Sequence, residues 1–402
     1  MNRSRLDALM MEQEQVNQLD RETIEAIQLN KLNRLLARER ERGGFYRDLP
    51  PRLDSLSALS SLPFTTAEDL ACFAPGLLLT SQSRVQRVLS DATSGTTGAA
   101  KRVFYTEQDL ENTVRLYMAG LGELVFPGSV TMICFPFSGP NGLGELIAEA
   151  IRRLGAKPLK LGAGLSYGEY REALDRERPD TFVGMPVQLL SILRVCGKGS
   201  LRRALVSGDA CPDSVTRGCE ALLGSRLFPH YGSREMGMAG AITCPAHEGM
   251  HLREHCVIAE IVDERGAVLP RGSWGELVIT TVGMEALPLI RYRTGDYTRI
   301  LPGPCPCGSE TLRLDRLSRR ENGLLSRLDE ALFSLEELVD YRVAKSDRGL
   351  SFEVLALPGL TAEAVTQNIA ALLPDAEIKV SVSQVAMSDR ALYPGKRKIL
   401  AP

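Results

Sequence analysis

No stretch of this chain approaches the apolar length needed to cross a bilayer, which argues against a membrane protein. The opening residues Met1-Asn2-Arg3-Ser4-Arg5 run into a charged helical pattern and lack the apolar core of a secretory signal. A cytoplasmic protein is therefore expected. An excess of charge of either sign is also missing: 48 Lys and Arg face 50 Asp and Glu, for a formal net charge of -2. Without a global field to draw in nucleic acid or an anionic membrane surface, neither is an expected partner. Repeats and low-complexity tracts are absent, and so is the Gly-x-x-x-x-Gly-Lys-Ser/Thr string of a P-loop. Cysteine is present, but nine is an odd number scattered through a long chain, which argues against a disulfide framework and for thiols or metal ligands.

What is there suits a soluble globular chain: 44% hydrophobic and 24% charged residues over 402 positions, enough for a large core and long enough to split into two domains. From Leu6 to about Arg42, apolar residues at helical spacings predict an amphipathic helix ended by Gly43-Gly44. Thr65-Thr66-Ala67-Glu68 has the form of a capping box opening a short helix. Further on, apolar runs such as residues 130–135 and 181–183 alternate with helical segments such as 144–154, a pattern that predicts an α/β body with a largely parallel sheet. Residues 257–262 and 275–281 read instead as an antiparallel hairpin in a smaller β-subdomain. Beyond Arg320 the composition shifts to two helix-like and two strand-like segments, a small α+β unit. The boundary falls between residues 1–319 and 320–402.

The most informative string is Thr93-Ser94-Gly95-Thr96-Thr97-Gly98-Ala99-Ala100-Lys101. Its glycines permit a tight turn that brings backbone N–H groups to a polyanion, its hydroxyls add donors, and Lys101 supplies charge for phosphate oxygens. Taken alone, such a string also suits a surface turn. It resembles the phosphate loop of the acyl-adenylating superfamily (acyl-CoA and aryl-CoA ligases, peptide-synthetase adenylation domains, luciferases), Ser/Thr-Ser-Gly-Thr-Thr-Gly-x-x-Lys, at every specified position.

Two more motifs follow in that superfamily's order. Tyr231-Gly232-Ser233-Arg234-Glu235 resembles its Tyr-Gly-x-Ser/Thr-Glu segment, which implies an aromatic ring beside the adenylate and a carboxylate, Glu235, that helps hold Mg²⁺. Arg234 departs from the Ser/Thr of the pattern. Tyr292-Arg293-Thr294-Gly295-Asp296 matches without a mismatch and implies Asp296 as acceptor for the ribose hydroxyls. Ser207-Gly208-Asp209 occupies the place of the turn that lines the adenine pocket, and Arg319 in the hinge stretch is assigned to the nucleotide as well.

Closer still is the phenylacetate-CoA ligase branch, on Gly249-Met250-His251, residues 275–281, residues 288–294, and Cys305-Pro306-Cys307-Gly308 with Asp315-Arg316. The resemblance implies an α/β fold: a large N-terminal adenylate-forming domain of mixed sheets flanked by helices plus a small β-subdomain, and a small α+β C-terminal lid domain. It also implies a structural zinc site at Cys244, His251, Cys305 and Cys307, with His247 the rival fourth ligand. Thiolate and imidazole are the donors zinc takes in closed tetrahedral sites.

Near the end, Gly395-Lys396-Arg397-Lys398 resembles the superfamily's terminal basic signature, with Ile399 where its last basic residue would fall. Lys396 is the residue implied to stabilise charge at the reacting carboxylate and α-phosphate; by itself, a basic cluster of this kind reads as a solvated tail. The activity implied is ATP-dependent conversion of a small-molecule carboxylic acid, expected to be aromatic, to an acyl-AMP with release of pyrophosphate, then transfer to a thiol, CoA first. Where relatives carry an Asp pair in the hinge, this chain has Glu321-Asn322, and the tunnel glycine is missing. A carrier-protein phosphopantetheine or an amine therefore stays open as acceptor, as does a silent nucleotide-binding scaffold. The acid and the oligomeric state, a homodimer included, are left open.

Overall fold

In a computed structural model that describes residues 4–92, 100–319, 323–346, 349–393 and 395–401, the helix expected over Leu6 to Arg42 is two helices, Arg5–Glu14 and Arg21–Arg42. Helical periodicity survives the break, but Gln15 turns left-handed (φ 55°), which ends the first helix. Asp20 then caps the second, accepting from the Thr23 N–H at 2.8 Å. Gly43, also left-handed, closes it as expected. The capping box before Ala67–Leu77 lies one residue later than the sequence pattern suggests, between Thr66 and Asp69.

Contacts divide the chain into two compact units, each drawn from two stretches: Met1–Glu123 with His230–Leu317, and Leu124–Pro229 with Ser318–Pro402. In the first unit, Val85–Ala92 and Ala100–Thr106 form an antiparallel ribbon that sets Asp91 opposite Lys101. The expected hairpin of Val257–Val262 and Gly275–Thr281 is present and extends to a third antiparallel strand, Tyr292–Thr298. The strands Ala241–Thr243, Met250–Leu252 and Arg313–Leu314 build a second antiparallel sheet in which His230 and Tyr231 pair with Ile242 and Ala241. The helix Arg21–Arg42 is tied to the rest of this unit by part-buried polar bonds: Glu254 accepts both terminal guanidinium nitrogens of Arg21 at 2.8 Å and also the Leu312 N–H at 2.7 Å.

The second unit holds the parallel sheet, in the order Arg203–Val206, Thr181–Gly184, Val130–Ile133, Lys157–Lys160. The helices between its strands carry clear punctuation. Ser166 and Glu169 form a capping box on Tyr167–Glu177, Pro186 opens Pro186–Cys196, and left-handed Gly224 closes Asp213–Leu223. The segment from residue 323 contains three strands rather than the expected two. Leu338–Ser346 pairs antiparallel with Gly349–Ala356, and the latter runs parallel to Glu377–Gln384. Helices Gly323–Leu332 and Ala362–Ala370 complete it. Within this unit the Ser191 hydroxyl donates to the Val339 carbonyl at 2.7 Å, and one continuous apolar core includes Phe182, Leu189, Leu190, Val339 and Val354.

Candidate active site

In the first unit, three of the motifs converge. Lys101, on the strand that follows the phosphate-loop string, places its ammonium 2.9 Å from Glu235 Oε1. The Tyr292 hydroxyl donates to the same oxygen at 3.2 Å and lies 3.5 Å from Lys101 Nζ. Glu235 sits in a short 3-10 turn, Arg234–Met236, just past Tyr231. Getting there requires close backbone passage at Gly232, where a Cβ would stand 2.5 Å from the Met238 carbonyl. Burial drives the Glu235 carboxyl upward, yet the charge and hydrogen bond of Lys101 more than offset this and hold it below the ordinary carboxylate value. An ionised, hard-oxygen carboxylate results, the donor type Mg²⁺ takes.

Asp296 lies four residues beyond Tyr292 on the same strand, and its Oδ2 accepts from the Tyr231 hydroxyl at 2.8 Å. Its backbone N–H donates to Thr294 Oγ1 at 3.0 Å, and Gly295 between them is left-handed (φ 74°). Burial, with Asp296 beside it, holds the Tyr231 phenol well above its ordinary value, so it remains a donor. The backbone of Arg234, the departure from the Ser/Thr pattern, is fixed by the Tyr105 hydroxyl, which donates to its carbonyl at 2.8 Å. Tyr105 and the Tyr292 hydroxyl are contacts that sequence reading misses; Tyr105 stands outside any motif, four residues past Lys101. The string Thr93, Ser94, Gly95, Thr96, Thr97 and Gly98 lies outside the described residues, as does the side chain of Arg319.

The thiols and imidazole assigned to zinc also come together in the first unit. One ligand atom from each of Cys244, His251, Cys305 and Cys307 lies within 4.8 Å of the others. Cys244 Sγ and Cys305 Sγ are 3.7 Å apart, and Cys307 Sγ is 3.4 Å from His251 Nε2. A zinc ion with bonds of about 2.3 Å to sulfur has tetrahedral edges of roughly 3.7 Å, so the donor set fits that ion in type and spacing. His251 is oriented by a 2.8 Å bond between its Nδ1 and Thr311 Oγ1, leaving Nε2 toward the thiols. Burial and the nearby Arg313 charge hold the imidazole neutral, lowering it to about 4. His247 falls outside this cluster, on a left-handed residue of the connecting turn (φ 54°). All nine cysteines are free thiols.

In the second unit, Ser207-Gly208-Asp209 forms the turn after the strand Arg203–Val206. Gly208 is left-handed (φ 88°), with Phe135 Cε1 2.9 Å from where a Cβ would stand. Asp209 Oδ2 accepts the Arg397 N–H at 2.8 Å, and its Oδ1 accepts the Ala210 N–H at 2.9 Å. Burial raises the Asp209 carboxyl, partly countered by these two N–H groups and by the charges of Lys396 and Arg397. Lys396 is exposed, whereas its neighbour Arg397 is buried, so the basic cluster is not a solvated tail throughout.

Comparison with known proteins agrees with the motifs. A family model described as AMP-binding enzyme matches residues 92–285. The phenylacetate-coenzyme A ligase of Thermus thermophilus is 28% identical over 363 residues, covering 83% of this chain and 80% of that one. That of Pseudomonas putida is 32% identical over 269 residues, covering 63% and 60%. The crystal structure of 2-hydroxyisobutyryl-CoA ligase in the postadenylation state aligns with a TM-score of 0.77 at 18% identity, over 95% of this chain and 90% of that one. At that identity it speaks to the fold alone. Among the described residues no helix is long and apolar enough to cross a membrane. Together with the motifs, these matches support the acyl-adenylating superfamily, in its phenylacetate-CoA ligase-like branch, as the family this chain resembles.

Proposed function

We propose that this protein uses ATP to activate a carboxylic acid, aromatic in character, as an acyl-AMP with release of pyrophosphate, and then passes the acyl group to the thiol of CoA. The observation that carries the reading is the convergence of Lys101, Glu235 and Tyr292, with Tyr231 and Asp296 paired alongside, from motifs far apart in the chain. In this assignment Lys101 neutralises phosphate charge and Asp296 accepts from the ribose hydroxyls. Lys396 stabilises charge at the attacking carboxylate and the α-phosphorus. The backbone of Thr93 to Gly98 cradles phosphate, Ser207 to Asp209 and Tyr231 to Arg234 frame the adenine, and Arg319 contacts the nucleotide. Glu235 would hold Mg²⁺, which supplies charge neutralisation on the polyphosphate. The step is an in-line attack of carboxylate oxygen on the α-phosphorus with pyrophosphate leaving, so positioning and electrostatics are what the side chains contribute.

Zinc at Cys244, His251, Cys305 and Cys307 would be structural: four protein donors close the coordination sphere. Residues 320–402 are assigned as the lid domain, cytoplasm as the compartment. Isotope exchange between pyrophosphate and ATP, run over aromatic and aliphatic acids and followed by product analysis with CoA, tests the reading. Acid-dependent exchange with thioester formation is the expected result. Exchange without thioester moves the acceptor to a carrier protein or an amine, an outcome the Glu321-Asn322 departure in the hinge would then explain. No exchange with any acid overturns the reading.

A further inference from the structure

The segment that carries Lys396 is pinned at both ends. Ahead of it, the Leu392 N–H donates to Asp340 Oδ2 at 2.7 Å. Behind it, the Leu400 N–H donates to the Val343 carbonyl and the Lys345 N–H to the Leu400 carbonyl, both at 2.9 Å, which adds Leu400 to the edge of the strand Leu338–Ser346. Across the loop the Tyr393 hydroxyl donates to the Lys398 carbonyl at 2.6 Å. At its centre Arg397 turns inward. Its Nε lies 3.1 Å from Asp329 Oδ1, its Nη1 2.8 Å from Asp340 Oδ1, and its Nη2 donates to the Tyr341 carbonyl at 3.2 Å. The rings of Tyr341, Phe333 and Tyr393 stand 4.4, 5.0 and 5.0 Å from its guanidinium carbon. Arg397, Asp329 and Asp340 are all at most 5% exposed. The Tyr341 hydroxyl adds a bond to Asp329 Oδ1 at 2.6 Å.

A solvated basic tail needs none of this. One planar cation reads two carboxylates on different elements and three aromatic faces, an arrangement only a guanidinium fork satisfies. Its backbone N–H, meanwhile, is bound by Asp209. The Arg397 side chain is thus clamped inward and its amide held on Asp209, while Lys396 beside it is exposed. Ile399 stands where the terminal signature would place its last basic residue, and the buried cation comes two positions earlier.

We propose that Arg397 is the positioning residue for Lys396: the clamp of Asp329 and Asp340 on its guanidinium, with Asp209 on its amide, fixes the loop that presents the reacting lysine. This rests on the adenylation reading and adds to it a residue that touches no substrate. A positioning role affects the rate of the chemical step and leaves nucleotide affinity largely in place, since Lys101 and Asp296 are untouched.

The test uses the full chain with Arg397→Lys, which keeps the charge and loses the fork, and Asp340→Asn, which removes one acceptor. Near-UV circular dichroism establishes which variant is folded, and the reading is taken on that one. Acid-dependent pyrophosphate exchange is expected to show kcat reduced about 10- to 100-fold with KM for ATP within about twofold of the parent. Hydrogen exchange of the backbone amide at position 397 is expected to speed up in either variant while amides of the strand Tyr292–Thr298 stay protected. A folded variant with parental kcat, or one in which KM for ATP rises as much as kcat falls, overturns the positioning role. Loss of native circular dichroism in both variants does so too, since the clamp would then serve folding as a whole. Absence of exchange in the parent itself would instead remove the adenylation reading, a distinguishable result.

Discussion

Lys101 and Glu235 form an ion pair at 2.9 Å although 134 residues separate them. The lysine is about a quarter exposed and the carboxylate a tenth. The pair therefore lies at the edge of a site rather than in the core, where one partner answers to solvent or ligand and the other is held by protein.

Removing the cation tests this directly. Lys101→Met leaves Glu235 with the burial that raises its carboxyl and without the charge that lowers it. The acid limb of the pH profile for pyrophosphate exchange moves to higher pH. The exchange rate at its optimum falls by about 10² or more, the scale on which losing one charge-stabilising donor is felt. Stability follows the linkage sign. Glu235 has a folded value below its unfolded 4.5, so the pair's stabilisation is complete above 4.5 and is lost as pH falls through the lower folded value. Acid unfolding of Lys101→Met, followed by circular dichroism, loses that contribution and begins at higher pH than in the parent.

Asp296→Asn keeps the shape of the strand but exchanges a full acceptor for a half. KM for ATP rises about tenfold or more while kcat changes less, because the ribose contact proposed for Asp296 would be made in ground and transition states alike. Tyr231→Phe removes the hydroxyl that donates to Asp296 at 2.8 Å and lowers stability by about 1–2 kcal/mol in urea unfolding.

Metal analysis of the purified protein gives about one zinc per chain. Cys305→Ser lowers the zinc content and the melting temperature, by about 5 °C or more, because the proposed closed site would tie Cys244, His251 and the Cys305–Cys307 turn together. Exchange activity measured well below the new melting temperature is retained, as befits a site with no open position.

Asp109 offers a stability test away from the chemistry. Its carboxylate is 1% exposed and accepts from the Thr106 N–H at 3.0 Å, the Glu285 N–H at 2.7 Å and the Ala286 N–H at 3.0 Å. Asp109→Ala loses a capping box and leaves buried N–H groups unmatched, lowering unfolding free energy by about 2–4 kcal/mol.

The nucleotide motifs are legible in the sequence because each is a short string whose chemistry depends on neighbours within a few residues. Gly232 is needed for one close approach, and Thr294-Gly295-Asp296 makes its own turn. The four zinc-type donors are legible as a set, and the fourth resolves only in three dimensions, where His251 rather than His247 joins the thiols. Arg397 is not legible: its burial depends on Asp329 and Asp340, which lie in no motif, and in the sequence it is one of three adjacent basic residues. Periodicity likewise carries through Gln15, because a left-handed residue leaves no mark on the spacing of apolar side chains. The third strand of the C-terminal segment, Glu377–Gln384, is legible in the sequence: Ile378, Val380 and Val382 alternate with polar residues at a period of two, and the expectation of two strands falls one short.

The first unit is interrupted in the chain by residues 124–229. Arg21, Gln28 and Lys31 find their partners at Glu254 and His255, more than 220 positions later. On the ribosome, the N-terminal helices must therefore wait about 10–40 s, the time to synthesise roughly two hundred residues, before the surface they bury against exists. During that interval an apolar face is without cover. Fragments ending before residue 230 will accordingly aggregate or recruit chaperones, and slow, nonlocal docking will limit the rate at which the newborn chain matures.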